Sequence, residues 1–146
     1  MKKIALFLFL AATALVSPAL AFKEIEVQKR YCAGLQINQH LSDGSEVDCV
    51  KGDLAIEVDF TDHWAQAIGQ SLHYARLTQT RPSIILVCND TVSTATCERH
   101  LTRMIDTLNY WRIGMLVWFC NSRFDRSLDD CEFTDLYETS SGEVSQ

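Results

Sequence analysis

Apolar positions along the chain recur with two different periods, and together they predict an α/β protein. Ser83–Cys88 and Met115–Cys120 are almost uninterrupted apolar runs, which is typical of strands covered on both faces. Upstream, shorter segments are separated by Asp43-Gly44 and Gly52-Asp53, two dipeptides that favour hairpin turns. Apolar residues at helical spacing complete the pattern. The predicted elements are a helix at 23–35, strands at 36–41, 45–51 and 54–60, a helix at 62–79, a strand at 83–88, a helix at 92–112 and a strand at 115–120.

The order of these elements, αβββαβαβ, predicts one three-layer domain with a mixed central sheet flanked by helices. The strand–helix–strand unit from 83 to 120 should form a right-handed parallel crossover. We assign this domain to residues 22–121. Residues 122–146 form a polar, acidic C-terminal tail, and we expect its last eight residues to be disordered.

Residues 1–21 have the pattern of a secretory signal peptide. Two lysines precede an apolar run over residues 4–16, and the small-residue cleavage site Ala19-Leu20-Ala21 follows. The alternative is a retained membrane anchor, but a span needs about 20 apolar residues and Ser17-Pro18 interrupts this run. We therefore expect a periplasmic or secreted protein with no membrane attachment after cleavage.

Export changes the interpretation of the six cysteines. In an oxidising compartment, an even number of cysteines indicates disulfides. The chain has no C-x-x-C pair, so neither a zinc ribbon nor a thioredoxin-type site is expected. Sequence alone leaves many pairings open, and free buried cysteines are the alternative. We expect Cys88–Cys97 and Cys120–Cys131, each joining a strand end to a nearby segment, together with Cys32–Cys49.

Composition narrows the functional classes. An apolar content of 47% with only two prolines excludes a disordered chain. A formal charge of −6 excludes a simple nucleic-acid clamp, because such proteins carry excess lysine and arginine. A local basic rim is still conceivable, although scattered solvated charges are the simpler interpretation. Its candidate members are Arg76, Arg81, Arg99 and Arg103, with Lys29 and Arg30 on the first helix.

The second predicted hairpin carries the candidate chemistry. A two-residue turn at Gly52-Asp53 would place Asp48 opposite Glu57 and Glu46 opposite Asp59, with all four carboxylates on one face. Like charges directly opposite each other destabilise a strand pair. A hard divalent cation among them is the simplest explanation, and a solvated acidic outer face is the alternative. The residues expected to face the core are Val47, Cys49, Ile56, Val58 and Phe60.

The following helix adds a polar stripe. His63, Ala67, Gln70 and Tyr74 are spaced four, three and four residues apart and therefore share one helix face. This face lies beside the apolar stripe, so Gln70 and Tyr74 should reach the sheet near the carboxylates. Each residue alone could equally be a polar side chain at the margin of the core.

The ordered set Asp48, Glu57-Val58-Asp59 and Gln70-Ser71-Leu72-His73-Tyr74 resembles the PD-(D/E)XK nuclease superfamily, in particular its small resolvase-like members. The resemblance covers residues 23–120 and implies a restriction-endonuclease-like core. It further implies an exported nuclease that hydrolyses phosphodiester bonds with Mg²⁺ or Mn²⁺. On this resemblance Asp48, Glu57 and the backbone carbonyl of Val58 bind the metal, and Gln70 and Tyr74 form the helix element.

The chain departs from the family motif at its lysine. Asp59 occupies the position two residues after the second acid, and the next helix starts with Asp62-His63. His63 could replace the lysine in proton transfer, or could bind a transition metal and favour Mn²⁺. Lys51 is nearest in sequence but belongs to the hairpin end. The first-helix acid of the family has only Glu24 and Glu26 as candidates.

Three functions therefore remain open. The first is a metal-dependent nuclease, and the second is a nuclease-fold protein without turnover that binds a partner or nucleic acid. The third is an exported, disulfide-stabilised domain whose likeness to nucleases is superficial. For the first, DNA is a more natural substrate than RNA, and its binding should be weak and salt-dependent. A homodimer is reasonable, because paired cuts in a duplex need two active sites.

Overall fold

A computed structural model describes the backbone of residues 18–137 and the side chains of residues 24–137. Most of the predicted signal peptide and the last nine residues lie outside these ranges. The helices are α1 (Pro18–Tyr31), α2 (Trp64–Thr78) and α3 (Thr94–Tyr110). The strands are β1 (Gln36–His40), β2 (Glu46–Lys51), β3 (Leu54–Phe60), β4 (Ser83–Cys88), β5 (Leu116–Asn121) and β6 (Glu132–Asp135). Two 3₁₀ turns cover Thr61–His63 and Leu128–Asp130.

The six strands form one mixed sheet in which they lie in chain order. The meander β1–β2–β3 is antiparallel, β3, β4 and β5 are parallel, and β6 returns antiparallel to β5. This confirms the predicted α/β architecture with helices flanking a mixed sheet. Within the described residues, no helix has both the length and the apolar character needed to cross a bilayer.

Each face of the sheet has its own apolar layer, as the continuous run in β4 predicted. Ile85 and Val87 of β4 pack with Val27 and Tyr31 of α1. On the other face, Ile84 and Leu86 pack in a cluster that includes residues of α2 and α3. Because side chains alternate along a strand, one fully buried strand supplies both layers.

The first helix and the C-terminal segment differ most from the sequence prediction, and the first helix begins at Pro18 rather than at residue 23. The first helix ends at Tyr31 rather than at residue 35, and Gly34 follows with φ +79°, a left-handed conformation that suits glycine after a helix end. Residues 132–135, expected in an acidic tail, form the edge strand β6. This strand is short and largely polar, so its pairing with β5 has no strong local signal.

All six cysteines are paired, and the three predicted pairings are confirmed. Cys32–Cys49 fastens the end of α1 to β2, Cys88–Cys97 joins β4 to α3, and Cys120–Cys131 joins β5 to the segment before β6. A disulfide of this kind stabilises a small domain by about 2–4 kcal/mol. Three disulfides fit an extracellular or periplasmic protein.

Candidate functional site

The hairpin between β2 and β3 has the predicted register near its turn. Lys51 pairs with Leu54, Val50 with Ala55 and Cys49 with Ile56. Gly52 has φ +61°, the left-handed conformation that a tight hairpin turn requires. The turn therefore sets which residues of the two strands face each other.

Beyond Cys49 the two strands are joined through a side chain. The backbone N–H of Val58 donates a hydrogen bond to Asp48 Oδ2 at 2.8 Å. The carboxyl groups of Asp48 and Glu57 are close enough to interact, and their side-chain contact favours the proton on Glu57, because it raises the pKa of Glu57 and opposes the rise at Asp48. The structure thus brings together the two acids that the sequence predicted to meet.

The carboxylates of β3 are buried rather than solvated. Glu57 is 5% exposed and Asp59 is 3% exposed, which excludes the interpretation of a solvated acidic face for these two residues. Asp59 Oδ1 accepts a hydrogen bond from the backbone N–H of Phe60 at 2.7 Å. The same oxygen lies 3.0 Å from Nδ1 of His63, which the 3₁₀ turn after β3 places four residues further on.

The prediction that side chains alternate regularly along β2 is wrong. Glu46 does not join the buried carboxylates: it pairs with His40 of β1, and its exposed side chain lies 3.3 Å from that imidazole. Val47 is buried as predicted, but it packs with Ala55 and Tyr74 instead of with the cluster that contains Cys49. Regular alternation fails here, and Asn38, which lies opposite this point on β1, has φ +53°. Such a local break in the ladder redirects side chains, as at a bulge.

Helix α1 contributes two residues to the site. Gln28 Nε2 donates to Asp48 Oδ1 at 3.2 Å and to the Asp48 backbone oxygen at 3.0 Å. The charge of Glu24, one helical turn earlier, acts on Asp48, Glu57 and Asp59. Glu24 is one of the two candidates for the first-helix acid, whereas a role for Gln28 was not predicted. Their spacing of four residues, which places them on one helix face, was the available signal.

Burial and mutual repulsion set the protonation of the acids. Burial raises the pKa of Glu57 far above its ordinary value, and the charges of Asp48 and Asp59 raise it further. Burial also raises the pKa of Asp48, although the Val58 N–H opposes this, and Glu24 and Asp59 add to the rise. Asp59 shifts in the same direction, mainly through burial. The cluster therefore holds more protons at neutral pH than isolated carboxyl groups would.

His63 is the cationic partner recorded for this cluster among the described residues. Burial lowers its pKa, but the hydrogen bond and charge of Asp59, together with Asp62, raise it above the usual histidine value overall. Its side chain is about half exposed, at 52%. Nδ1 is directed at Asp59, and Nε2 lies 3.8 Å from Oδ2 of the exposed Asp62.

The predicted stripe of α2 lies at the margin of the site. Tyr74 is buried against Val47 and Ala55, and burial together with the Glu57 charge raises its pKa. The side chain of Gln70 is hydrogen-bonded to Tyr74. Its Oε1 is buried and has no hydrogen-bond partner within residues 24–137. Ala67 belongs to the apolar cluster under α2 and α3 instead.

Lys51 does not take the place of the family-motif lysine. Its Nζ lies 5.5 Å from the ring centroid of Trp118, at the turn end of the hairpin. The predicted basic rim is also weakened, because Arg81 is paired with Asp135 at 2.7 Å. The positive charge near the carboxylates therefore comes from His63.

The residues described do not form a preformed metal cage: no group of three or more histidine, cysteine, aspartate and glutamate side chains is arranged to hold an ion. Asp48 and Glu57 supply two carboxylates. Mg²⁺ commonly binds through one or two carboxylates and keeps several of its own waters.

Comparison with known proteins adds no identification. No protein-family model matches the chain, and neither a curated protein nor a solved structure is significantly similar to it.

Proposed function

We propose that this protein is an exported nuclease that hydrolyses phosphodiester bonds with a divalent cation held by Asp48 and Glu57. The observation that carries the proposal is the convergence of four acidic side chains from three elements. They are Glu24 of α1, Asp48 of β2, and Glu57 and Asp59 of β3. The order of the first six core elements, αβββαβ, and the positions of these acids agree with the PD-(D/E)XK resemblance.

Burying carboxylates without cationic partners is costly, and a fold tolerates it where a ligand uses the charge. Here His63 is the one basic side chain recorded against the cluster in the described part of the chain. A bound divalent cation would neutralise Asp48 and Glu57 and displace the proton that burial retains on Glu57. The backbone carbonyl of Val58, assigned by the resemblance, would be a third ligand.

The donor set indicates which cations fit. Carboxylate and carbonyl oxygens suit Mg²⁺ and Mn²⁺. His63 beside Asp59 adds an imidazole, a ligand that Mn²⁺ accepts more readily than Mg²⁺ does. We therefore expect activity with both ions and a preference for Mn²⁺.

The chemistry divides between the cation and the chain's own groups. A bound divalent cation would activate water and neutralise charge on the phosphate. Asp59 orients the imidazole of His63 through Nδ1, which leaves Nε2 to accept or return a proton. Gln70 Oε1 is buried and has no hydrogen-bond partner in residues 24–137, so an enclosed water molecule would be a natural donor to it.

A protein of the same fold without turnover is the second candidate, and the missing lysine favours it. Asp59 stands in the lysine position and is engaged with Phe60 and His63. Lys51 lies over Trp118. Such a protein would still bind the cation, and would use the site to hold nucleic acid or a partner.

DNA is the proposed substrate. The overall negative charge gives no general attraction for a polyanion, so binding should be weak and should weaken further as salt rises. Cleavage of both strands of a duplex would need two sites, which a homodimer would provide.

Calorimetry with Mn²⁺, followed by a plasmid-nicking assay on the same samples, tests the proposal. We compare wild type with Asp48→Asn, and use Asp43→Asn as a control because Asp43 pairs with His73 on the surface. The nuclease proposal expects binding and nicking in wild type and in the control, and neither in Asp48→Asn. Binding without nicking supports the second candidate. A wild-type protein that binds no Mn²⁺ and cuts no DNA overturns the metal site.

A further inference from the structure

Gln28 makes an unusual set of contacts for a residue on the first helix. Its Nε2 lies 3.0 Å from the Asp48 backbone oxygen, 3.2 Å from Asp48 Oδ1 and 2.7 Å from Asn38 Oδ1. One amide group therefore contacts both the main chain and the side chain of the same aspartate. It also reaches β1, where Asn38 has its left-handed backbone.

These contacts leave Asp48 little freedom. Oδ1 is held by Gln28, and Oδ2 accepts from the Val58 N–H at 2.8 Å. A carboxylate bound at both oxygens by different elements has its plane and its distance from Glu57 set before any ligand arrives. Groups that fix a ligating side chain in this way commonly change metal affinity by about 10-fold to 100-fold when they are removed.

Gln28 is itself held by a closed chain of bonds. Its backbone oxygen accepts from the N–H of Cys32 at 2.8 Å, Cys32 is bridged to Cys49, and Cys49 is bonded to Asp48 in sequence. Val27 and Tyr31 on the same helix are buried in the core. The amide of Gln28 therefore meets Asp48 from a position that both covalent bonds and packing maintain.

We propose that Gln28 is a positioning residue, which holds the Asp48 carboxylate in the orientation that binds the divalent cation. This inference rests on the proposed metal-dependent function and deepens it. Gln28 contacts neither cation nor substrate in this role and acts through Asp48. The first helix then serves the site through an amide as well as through the charge of Glu24.

The test compares Gln28→Met, which keeps the length of the side chain and removes its donor, with Asn38→Gly as the matched control. Asn38→Gly removes the other acceptor, tolerates the left-handed backbone at this position and leaves both contacts to Asp48. We expect Gln28→Met to weaken Mn²⁺ binding by at least about 10-fold in calorimetry, with thermal stability close to wild type. The control should change Mn²⁺ affinity by less than about 2-fold.

A readout without metal separates this inference from the proposed function. In the cation-free protein, Gln28→Met should shift the Val58 amide resonance, because that N–H donates to Asp48 Oδ2, and Asn38→Gly should not. Unchanged Mn²⁺ affinity in a folded Gln28→Met overturns the positioning role while the metal site stands. A wild type that binds no Mn²⁺ overturns both. In either case the Val58 shift still reports whether Gln28 orders Asp48.

Wild-type protein provides a further measurement if Gln28→Met fails to fold. Mn²⁺ at substoichiometric concentration broadens the resonances of nearby nuclei. The side-chain amide of Gln28 should broaden before that of Asn109, an exposed residue at the C-terminal end of α3, because it is the N-terminal half of α3 that contacts Thr61 near the site. Broadening of Asn109 first, or of both equally, would contradict the proposed position of the ion.

Discussion

Two regions of the same sheet treat their carboxylates in opposite ways. At the β6 edge, Asp135 accepts a hydrogen bond from Arg81 at 2.7 Å, and this contact lowers the pKa of the carboxyl group. In the cluster at β2 and β3, burial raises the pKa of Glu57, and the neighbouring acids raise it further. Residue type is not what differs. One carboxylate has a guanidinium beside it, and the other is enclosed among like charges.

The two regions differ in the cationic partner that their carboxylates have. The β6 edge is already complete, because Arg81 neutralises Asp135 and also lies 4.2 Å from the centre of the Tyr137 ring. The buried cluster has a half-exposed histidine as its recorded basic partner in the described residues. Under the proposed function, a divalent cation would neutralise Asp48 and Glu57 as Arg81 neutralises Asp135.

The largest expected effect is on the nicking rate, and it distinguishes two histidine–aspartate pairs. His63 lies 3.0 Å from the buried Asp59, whereas His73 lies 2.7 Å from the exposed Asp43. We expect His63→Ala to lower the nicking rate by about 10²-fold, which is the usual contribution of a general acid or base. His73→Ala should cut at the wild-type rate. Equal losses in the two variants, measured in Mn²⁺ at fixed protein concentration, would remove the distinction between the pairs.

The next effect concerns stability without metal. Because burial raises the folded-state pKa of Glu57, the folded protein retains a proton that the unfolded chain releases. The stabilisation that this retained proton gives the folded state is fully present below the ordinary pKa of glutamate, and it is lost as pH rises through the higher folded-state pKa. At about pH 9, with a chelator present to remove metal ions, we expect the free energy of unfolding of Glu57→Gln to exceed that of wild type by at least about 1.4 kcal/mol, the equivalent of one pKa unit.

Urea unfolding at about pH 5 and about pH 9 measures this difference. The gap between Glu57→Gln and wild type should widen with pH, and Mn²⁺ should narrow it by stabilising wild type alone. A variant that is less stable than wild type at both pH values would show that the glutamate charge is not a burden on the fold.

The smallest expected effect is on the stability that Asp135 contributes at the β6 edge. The folded-state pKa of Asp135 is lowered, so its contribution is present above the ordinary aspartate pKa and is lost as pH falls through the folded value. We expect Asp135→Asn to destabilise the protein by less than about 1 kcal/mol at neutral pH, because the pair with Arg81 is exposed and screened. Its pH dependence runs opposite to that of Glu57→Gln, and urea unfolding of both variants in parallel shows whether the contrast holds.

Much of the fold follows from local patterns. The run in β4 predicted a strand buried on both faces, and the Gly52-Asp53 turn predicted that Cys49 faces Ile56. The prediction failed where it extended regular alternation past Asp48. Glu46 turned outward to His40, and Val47 joined the cluster with Tyr74. The Asp48 side chain accepts the hydrogen bond of the Val58 N–H, and the neighbouring residues of β2 point to the other faces of the sheet as a result. No local sequence pattern indicates such a change.

The chain's own order of residues determined which segments become strands, where the tight turn falls, and that Asp48 and Glu57 meet across it. Turn geometry and side-chain alternation act over a few residues, so these features are legible in the sequence. Tertiary structure decided that Glu24 and Gln28 of α1 reach the same carboxylates, and that a short polar segment closes the sheet as β6. Helix periodicity specifies which face of α1 is polar, but the neighbour that this face meets depends on packing and on the Cys32–Cys49 bridge.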